Sequence, residues 1–218
     1  MLTRHLVFVY LRFRGVSGAS AVESQGGTVS FGSLDTSLYT GNINYIPVTK
    51  QLYWQIPTLG LTVNGASVNI NVTSSSQNIF GLGSSSSSGF PESAIDTGTT
   101  LISVPTTTAA AIYSQIQGAE AVTVTGYKGY YQFPCSSTPV IALNYGGVSY
   151  TISDADMNIG RLSTGSSMCL GGIYGNDLGS QSSISWIVGS TFLKNVYSVY
   201  KYSGTTTGSM VGFASLAE

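Results

Sequence analysis

A mostly β fold is predicted by three observations. Charged residues make up only 8% of the 218-residue chain, and Gly, Ser, Thr, Tyr and Val are abundant, a mixture that favours strands and tight turns over long helices. Short apolar runs recur along the chain, nearly all bounded by turn residues, as in an antiparallel β domain. Only one longer segment has helical spacing. A chain of this length forms one large or two small domains around a packed core.

The first twenty residues read in two ways. Arg4 and His5, then Leu6-Val7-Phe8-Val9-Tyr10-Leu11, then Ala19-Ser20-Ala21 imitate a signal peptide. Arg12 and Arg14 interrupt the apolar core, so a strand over Leu6–Leu11 is the preferred reading. Further strands are predicted at Thr28–Phe31, Asn44–Pro47, Tyr53–Leu59, Thr62–Val63, Val68–Val72, Ala94–Ile95 and Leu101–Val104. The series continues at Ala121–Val124, Val140–Leu143, Ser149–Ile152, Ser185–Val188, Val196–Tyr202 and Met210–Ala214. Asn144-Tyr145-Gly146-Gly147 is a hairpin tip. Val196-Tyr197-Ser198-Val199-Tyr200 lacks polar alternation, which implies burial on both faces. After Pro105, Thr106 or Thr107 caps a helix whose Ala109, Ile112, Tyr113 and Ile116 share one face. A shorter helical turn is expected at Ser190–Asn195. Ser74–Ser76 and Gly81–Gly89 form a Ser/Gly-rich surface loop.

Several function classes are excluded. A net charge of −1 with no run of Lys or Arg leaves no basic field for nucleic acid. No apolar run approaches the length of a membrane span. His5 is the only histidine, so neither a serine-type triad nor a histidine-rich metal site can be assembled, and two cysteines are too few for a zinc cluster. Cys135 and Cys169, if oxidised, close a loop of about 35 residues worth up to roughly 4 kcal/mol. Few lysines, many Ser and Thr, and the glycosylation sequon Asn71-Val72-Thr73 fit a secreted or vacuolar protein.

The chemistry concentrates at Asp96-Thr97-Gly98, between Ser93-Ala94-Ile95 and Thr99-Thr100-Leu101-Ile102-Ser103-Val104-Pro105. One carboxylate lies on a tight turn between two apolar strands. Gly98 lets backbone N–H groups come close to it, and the hydroxyls of Thr97, Thr99 and Thr100 can hold it in one orientation. About ninety residues later come Trp186-Ile187-Val188-Gly189-Ser190-Thr191-Phe192-Leu193-Lys194-Asn195 and Val196-Tyr197-Ser198-Val199-Tyr200, then Val211-Gly212-Phe213-Ala214.

Together these segments closely resemble the C-terminal lobe of pepsin-like aspartic proteases of fungal type. Gly32-Ser33-Leu34-Asp35-Thr36-Ser37-Leu38-Tyr39-Thr40-Gly41, Asn44-Tyr45-Ile46-Pro47-Val48 and Tyr53-Trp54-Gln55-Ile56 extend the resemblance over residues 6 to 218. It implies an antiparallel, closed-barrel-like β lobe with one or two short helices. It implies Asp96 as the second of two catalytic aspartates and Thr97 as a residue gripping the opposite lobe. Gly98, Thr99 and Thr100 would border the substrate cleft. Val188 and Gly189 would pack beneath the catalytic loop, and Cys135 and Cys169 would form the lobe's disulfide.

The implied activity is an aspartic endopeptidase acting at acidic pH on peptide or protein substrates, with no metal or cofactor. Such chemistry needs two carboxyls, one protonated and one ionised. The first Asp-Thr-Gly and the flap tyrosine of the N-terminal lobe have no match here. Residues 1–21 therefore read as an N-terminal lead and 22–218 as the C-terminal lobe, whose partner is the missing N-terminal lobe. Two other readings are a non-catalytic peptide-binding or structural lobe, and a homodimer pairing two copies of Asp96. Lys201 and Ser190 stand where the family often carries an acid. Asp35-Thr36-Ser37 lacks the glycine and flanking strands of a catalytic motif. Asp154-Ala155-Asp156-Met157-Asn158 opens like a calcium loop, but Ile159 and Gly165 occupy the positions that need Gly and an acid. Tyr127, Tyr130, Tyr131 and Phe133 read as strand packing near Cys135.

Overall fold

The computed structural model describes residues 27–70, 89–203 and 208–217. The Leu6–Leu11 strand, the two readings of the first twenty residues, Asn71 and nearly all of the Ser/Gly-rich loop lie outside them. In chain order the strands are β1 (Tyr39–Pro47), β2 (Lys50–Gln51), β3 (Trp54–Pro57), β4 (Gly60–Val63), β5 (Ala66–Ser67), β6 (Glu92–Ile95) and β7 (Ile102–Val104). Helix α1 (Thr106–Tyr113) follows, then β8 (Glu120–Ala121), β9 (Tyr131–Pro134), β10 (Ile141–Tyr145), β11 (Val148–Ile152) and helix α2 (Asp154–Met157). The chain closes with β12 (Met168–Leu170), β13 (Ile173–Gly175), β14 (Trp186–Val188), helix α3 (Ser190–Leu193), β15 (Tyr197–Lys201) and β16 (Met210–Leu216).

The strands form four sheets, ordered β1-β16-β15, β11-β10-β4-β5, β12-β9-β8 and β13-β7-β14-β6-β3-β2. The expected mostly β lobe is therefore present. Antiparallel pairing dominates, and the six-stranded sheet adds two parallel contacts, β13 with β7 and β14 with β6. Its central strands β6 and β7 are buried at every residue, so neither alternates between a core face and a solvent face. The buried Glu92 accepts from Thr49 Oγ1 and Gln55 Nε2, and the Ser93 hydroxyl is hydrogen-bonded to Thr58 Oγ1. β15 behaves likewise, with Tyr197 to Tyr200 all buried.

Turn chemistry fixes the hairpins. Gly146 and Gly147 join β10 to β11 with φ of 58° and 87°, the left-handed pair that a type I′ turn requires. Asn64-Gly65 does the same between β4 and β5, with φ of 52° and 81°. The core contains Trp186, Tyr145, Phe192 and Phe213, all fully buried. Tyr145, Tyr150 and Phe213 pack around Phe192 with ring centroids 5.3–6.3 Å apart. Tyr145 keeps its hydroxyl satisfied at Thr58 Oγ1, and burial pushes the phenol up to about 12. Cys135 and Cys169 are joined by a disulfide beside β9 and β12. Within this region Tyr131 and Phe133 lie on β9, and Tyr131 stacks on Tyr113 of α1 at 4.5 Å.

Some expectations are corrected. The described residues contain three helices rather than one or two. The extra one, α2, covers Asp154–Met157, the segment that opens like a calcium loop. Ser153 Oγ accepts from Asp156 N and donates to its Oδ2, while Met157 is fully buried as an anchor. No strand forms at 28–31, where Val29 and Phe31 remain largely exposed. At 68–70 the side chains of Val68 and Ile70 are buried without a backbone ladder.

Helix α1 lies where its spacing predicts, but its cap is not Thr106 or Thr107. Pro105 is the N-cap residue and offers no side-chain cap. Asp177 supplies one instead, accepting from Thr106 N at 3.0 Å and Thr106 Oγ1 at 2.8 Å. The Thr106 N–H, then its hydroxyl, with Lys128 adding, hold the Asp177 carboxyl below the usual carboxylate range. A depressed value means stabilisation that is present above the unfolded-state pKa and lost as pH falls through the folded one. Asp177→Ala should cost about 0.5–1 kcal/mol, the lower part of the cap range because the carboxylate is screened by solvent. Urea unfolding of both proteins should show that difference persisting through mildly acidic pH and vanishing only below about 3.9. A difference that disappears already near neutral pH contradicts the cap.

Candidate active site

Strands β6 and β7 flank Asp96, yet they do not pair with each other. β14 runs between them, parallel to β6 (Val188 opposite Ile95) and antiparallel to β7 (Val188 opposite Ile102). The turn must therefore cross over the end of β14, bridging two strand spacings, or about 10 Å. Whatever follows Val188 lies directly under that bridge.

Gly189 occupies this place. A Cβ there would lie 2.1 Å from Thr99 O and 2.7 Å from Leu101 O, so contact between the two backbones requires the absent side chain. The bridge is then stitched down. Asp96 N donates to Val188 O, Gly189 N to Leu101 O, Ser190 N to Thr99 O and Thr191 N to Thr100 O, at 2.8–3.1 Å. The last two donors belong to the first turn of α3, so carbonyls of the bridge satisfy N–H groups that the helix itself cannot.

The bridge presents the Asp96 carboxylate partly exposed. Gly98 N donates to Oδ1 at 2.9 Å and Thr99 Oγ1 to Oδ2 at 2.5 Å. Both oxygens are thus held by donors from the same turn, and each keeps further acceptor capacity. Thr97, Gly98 and Thr100 are exposed and Thr99 is half-buried. The predicted residues Asp96, Thr97, Gly98, Thr99, Thr100, Val188 and Gly189 therefore form one assembly. Beneath it, burial pushes the Tyr200 phenol far up, and the Asp96 carboxylate adds to the effect. Trp54 meets the Tyr200 ring edge-on at 5.2 Å.

The other motifs lie apart from this assembly. Asp35 sits on an exposed turn before β1, where Ser37 N and Ser37 Oγ donate to its Oδ1 at 3.0 and 2.6 Å. The Ser37 hydroxyl, then its N–H, hold the Asp35 carboxyl below its ordinary value. Its Oδ1 is held by its own turn. Asp156 pairs with Lys194, and among the described residues no group of acids, histidines or cysteines could hold a metal. Three contributors escaped the sequence reading: Thr191, Asn195 and Asp177. Their partners lie 42 to 91 residues away in sequence, beyond the reach of any local pattern.

A β lobe that carries one oriented carboxylate on a glycine turn, bridged over a buried strand, defines the class as an acid-protease-type lobe. The chain belongs to the eukaryotic aspartyl protease family, whose model matches residues 17–216. It is 46% identical to major aspartyl peptidase 1 of Cryptococcus neoformans var. grubii, a match covering 95% of this chain and 40% of that protein. It is 39% identical to an aspartic protease of Phaffia rhodozyma, over 81% of this chain and 39% of the relative. Endothiapepsin of Cryphonectria parasitica is 35% identical over 87% of this chain and 39% of its own length. The chain thus spans about 40% of the length of these relatives.

Proposed function

We propose that this chain is the C-terminal lobe, residues 22–218, of an aspartic endopeptidase, and that Asp96 is one of the two catalytic carboxylates. The observation that carries the reading is the doubly held, partly exposed carboxylate on the β14 bridge. Hydrolysis of a peptide bond needs a base to take a proton from water and an acid to protonate the carbonyl oxygen. Two carboxyls roughly 3 Å apart cannot both ionise, so such a pair provides both forms at once, as in aspartic proteases generally. One carboxylate cannot. The N-terminal lobe of the assembled enzyme supplies the second, and Thr97, exposed beside Asp96, faces it.

Within this scheme Gly98 and Thr99 orient Asp96, Thr99 and Thr100 border the cleft, and Val188 and Gly189 set the height of the bridge. Peptide and protein chains are the substrates, and no metal or cofactor takes part. Among the described residues no helix is long and apolar enough to cross a membrane. The Cys135–Cys169 disulfide supports a secreted or vacuolar location, where such bonds persist.

The test is the pH dependence of peptide hydrolysis by the protein holding both lobes. A shared-proton pair gives a bell-shaped profile confined to the acidic range, with apparent values belonging to the pair. A rate that keeps climbing into alkaline pH would rule the reading out.

A further inference from the structure

We infer that Thr191 and Asn195 are positioning residues that clamp the Asp96 turn from below, an inference that rests on Asp96 being catalytic. Thr191 directs two donors at one acceptor. Its N–H and its Oγ1 reach Thr100 O at 2.8 and 3.2 Å. Gly172 packs closely against its side chain, since a Cβ there would lie 2.8 Å from Thr191 Cγ2 and 3.1 Å from its Oγ1. Gly172 is itself fixed, donating to Met157 O and accepting from Ile102 N. Thr191 is therefore wedged, 2% exposed, between the bridge and the strand-to-strand connection at Gly172.

Asn195 holds the wedge from the other end. Its Nδ2 donates to Thr191 O at 2.9 Å, and its Oδ1 accepts from Ser153 N at 2.9 Å. Ser153 caps α2, and Asp156 of that helix pairs with Lys194, so α3 is tied to α2 at two points. A continuous series of bonds runs from Ser153 through Asn195 and Thr191 to Thr100, next to Thr99, whose hydroxyl holds Asp96 Oδ2. Supporting bonds of this kind keep a catalytic group within the small tolerance that its chemistry allows.

The test uses NMR on the chain itself. Thr191→Val is nearly isosteric and removes only the hydroxyl donor. It should displace the Gly98 amide proton and Asp96 carboxyl carbon signals, and speed exchange of the Asp96 and Ser190 amides roughly fivefold to tenfold, the change expected for one ordinary hydrogen bond. Thr191→Ser, which keeps the hydroxyl, should restore all four signals, and Asn195→Ala should reproduce the Val signature. Unchanged Gly98 and Asp96 signals in Thr191→Val would overturn the inference. So would faster exchange spread equally over remote amides such as Phe213, or a Ser variant indistinguishable from Val. None of these readouts requires catalysis. Failure of the catalytic reading would appear separately, as full activity of Asp96→Asn in the protein with both lobes.

Discussion

Asp96→Asn, made in the protein with both lobes, is expected to lower the rate of peptide hydrolysis by about 10²–10⁴-fold or more, the range for losing a positioned acid or base. Stability should hardly change. Asn keeps the shape of the side chain and one carbonyl oxygen, which can still accept from Gly98 N as Oδ1 does now. Its amide nitrogen then faces Thr99 Oγ1, a hydroxyl that can rotate to accept. The group is partly exposed, so no buried charge or cavity is created. What is lost is the ionisable proton site. Initial rates and thermal unfolding measured on the same preparation separate the two effects. A rate within twofold of the wild type would mean that Asp96 takes no part in the chemistry.

Gly189→Ala is expected to destabilise the lobe by about 3 kcal/mol or more, at or beyond the upper end for overpacking. Conformation is not the reason. Gly189 has φ −104° and ψ −155°, which any residue adopts. Space is the reason, because the nearest atoms to the new methyl are backbone, Thr99 O at 2.1 Å, Thr99 C at 2.6 Å and Leu101 O at 2.7 Å. They cannot move aside like the end of a flexible side chain. Relief requires lifting the bridge off β14, which breaks the bonds from Gly189 N, Ser190 N and Thr191 N together. Gly98→Ala provides the contrast: its Cβ would meet only Asp96 Oδ1, at 3.3 Å, and the cost should stay below about 1 kcal/mol. Urea unfolding midpoints of the two variants provide the comparison. Equal midpoints would mean that the bridge is not held against Gly189 as described.

The sequence made the local features legible and left the long-range ones hidden. The apolar runs around Asp96, the helix after Pro105, the hairpin at Gly146-Gly147 and the two-faced burial of β15 each follow from a pattern within a dozen residues. The insertion of β14 between β6 and β7 does not, because it joins segments some ninety residues apart and leaves no periodic trace in either. Very short strands such as β2, β5 and β12 gave too few residues for alternation to register. Asn64-Gly65 was a readable hairpin signal, and the strand pair around it is only partly anticipated by Thr62–Val63. The Asp177 cap was invisible for a different reason: Thr106 is itself a good capping residue, and only the folded chain shows that it donates to a carboxylate instead.

At the candidate site the same division holds. Asp96, Thr97, Gly98, Thr99 and Thr100 are consecutive, so the motif carries its own geometry. Val188 and Gly189 were reached through family resemblance, and the close approach at Gly189 supplies the physical reason for a glycine there. Thr191 and Asn195 act through α3, a four-residue helix whose orientation depends on α2, and no short pattern encodes that.

On the proposed reading Asp96 supplies half of a two-carboxylate site. The most direct measurement compares acid-range peptide hydrolysis by this chain alone with hydrolysis after it is refolded with an N-terminal lobe bearing the first Asp-Thr-Gly. Activity appearing only in the mixture, and disappearing when either aspartate is changed to Asn, is the predicted result. Hydrolysis by the chain alone at a specific rate independent of its concentration would contradict it.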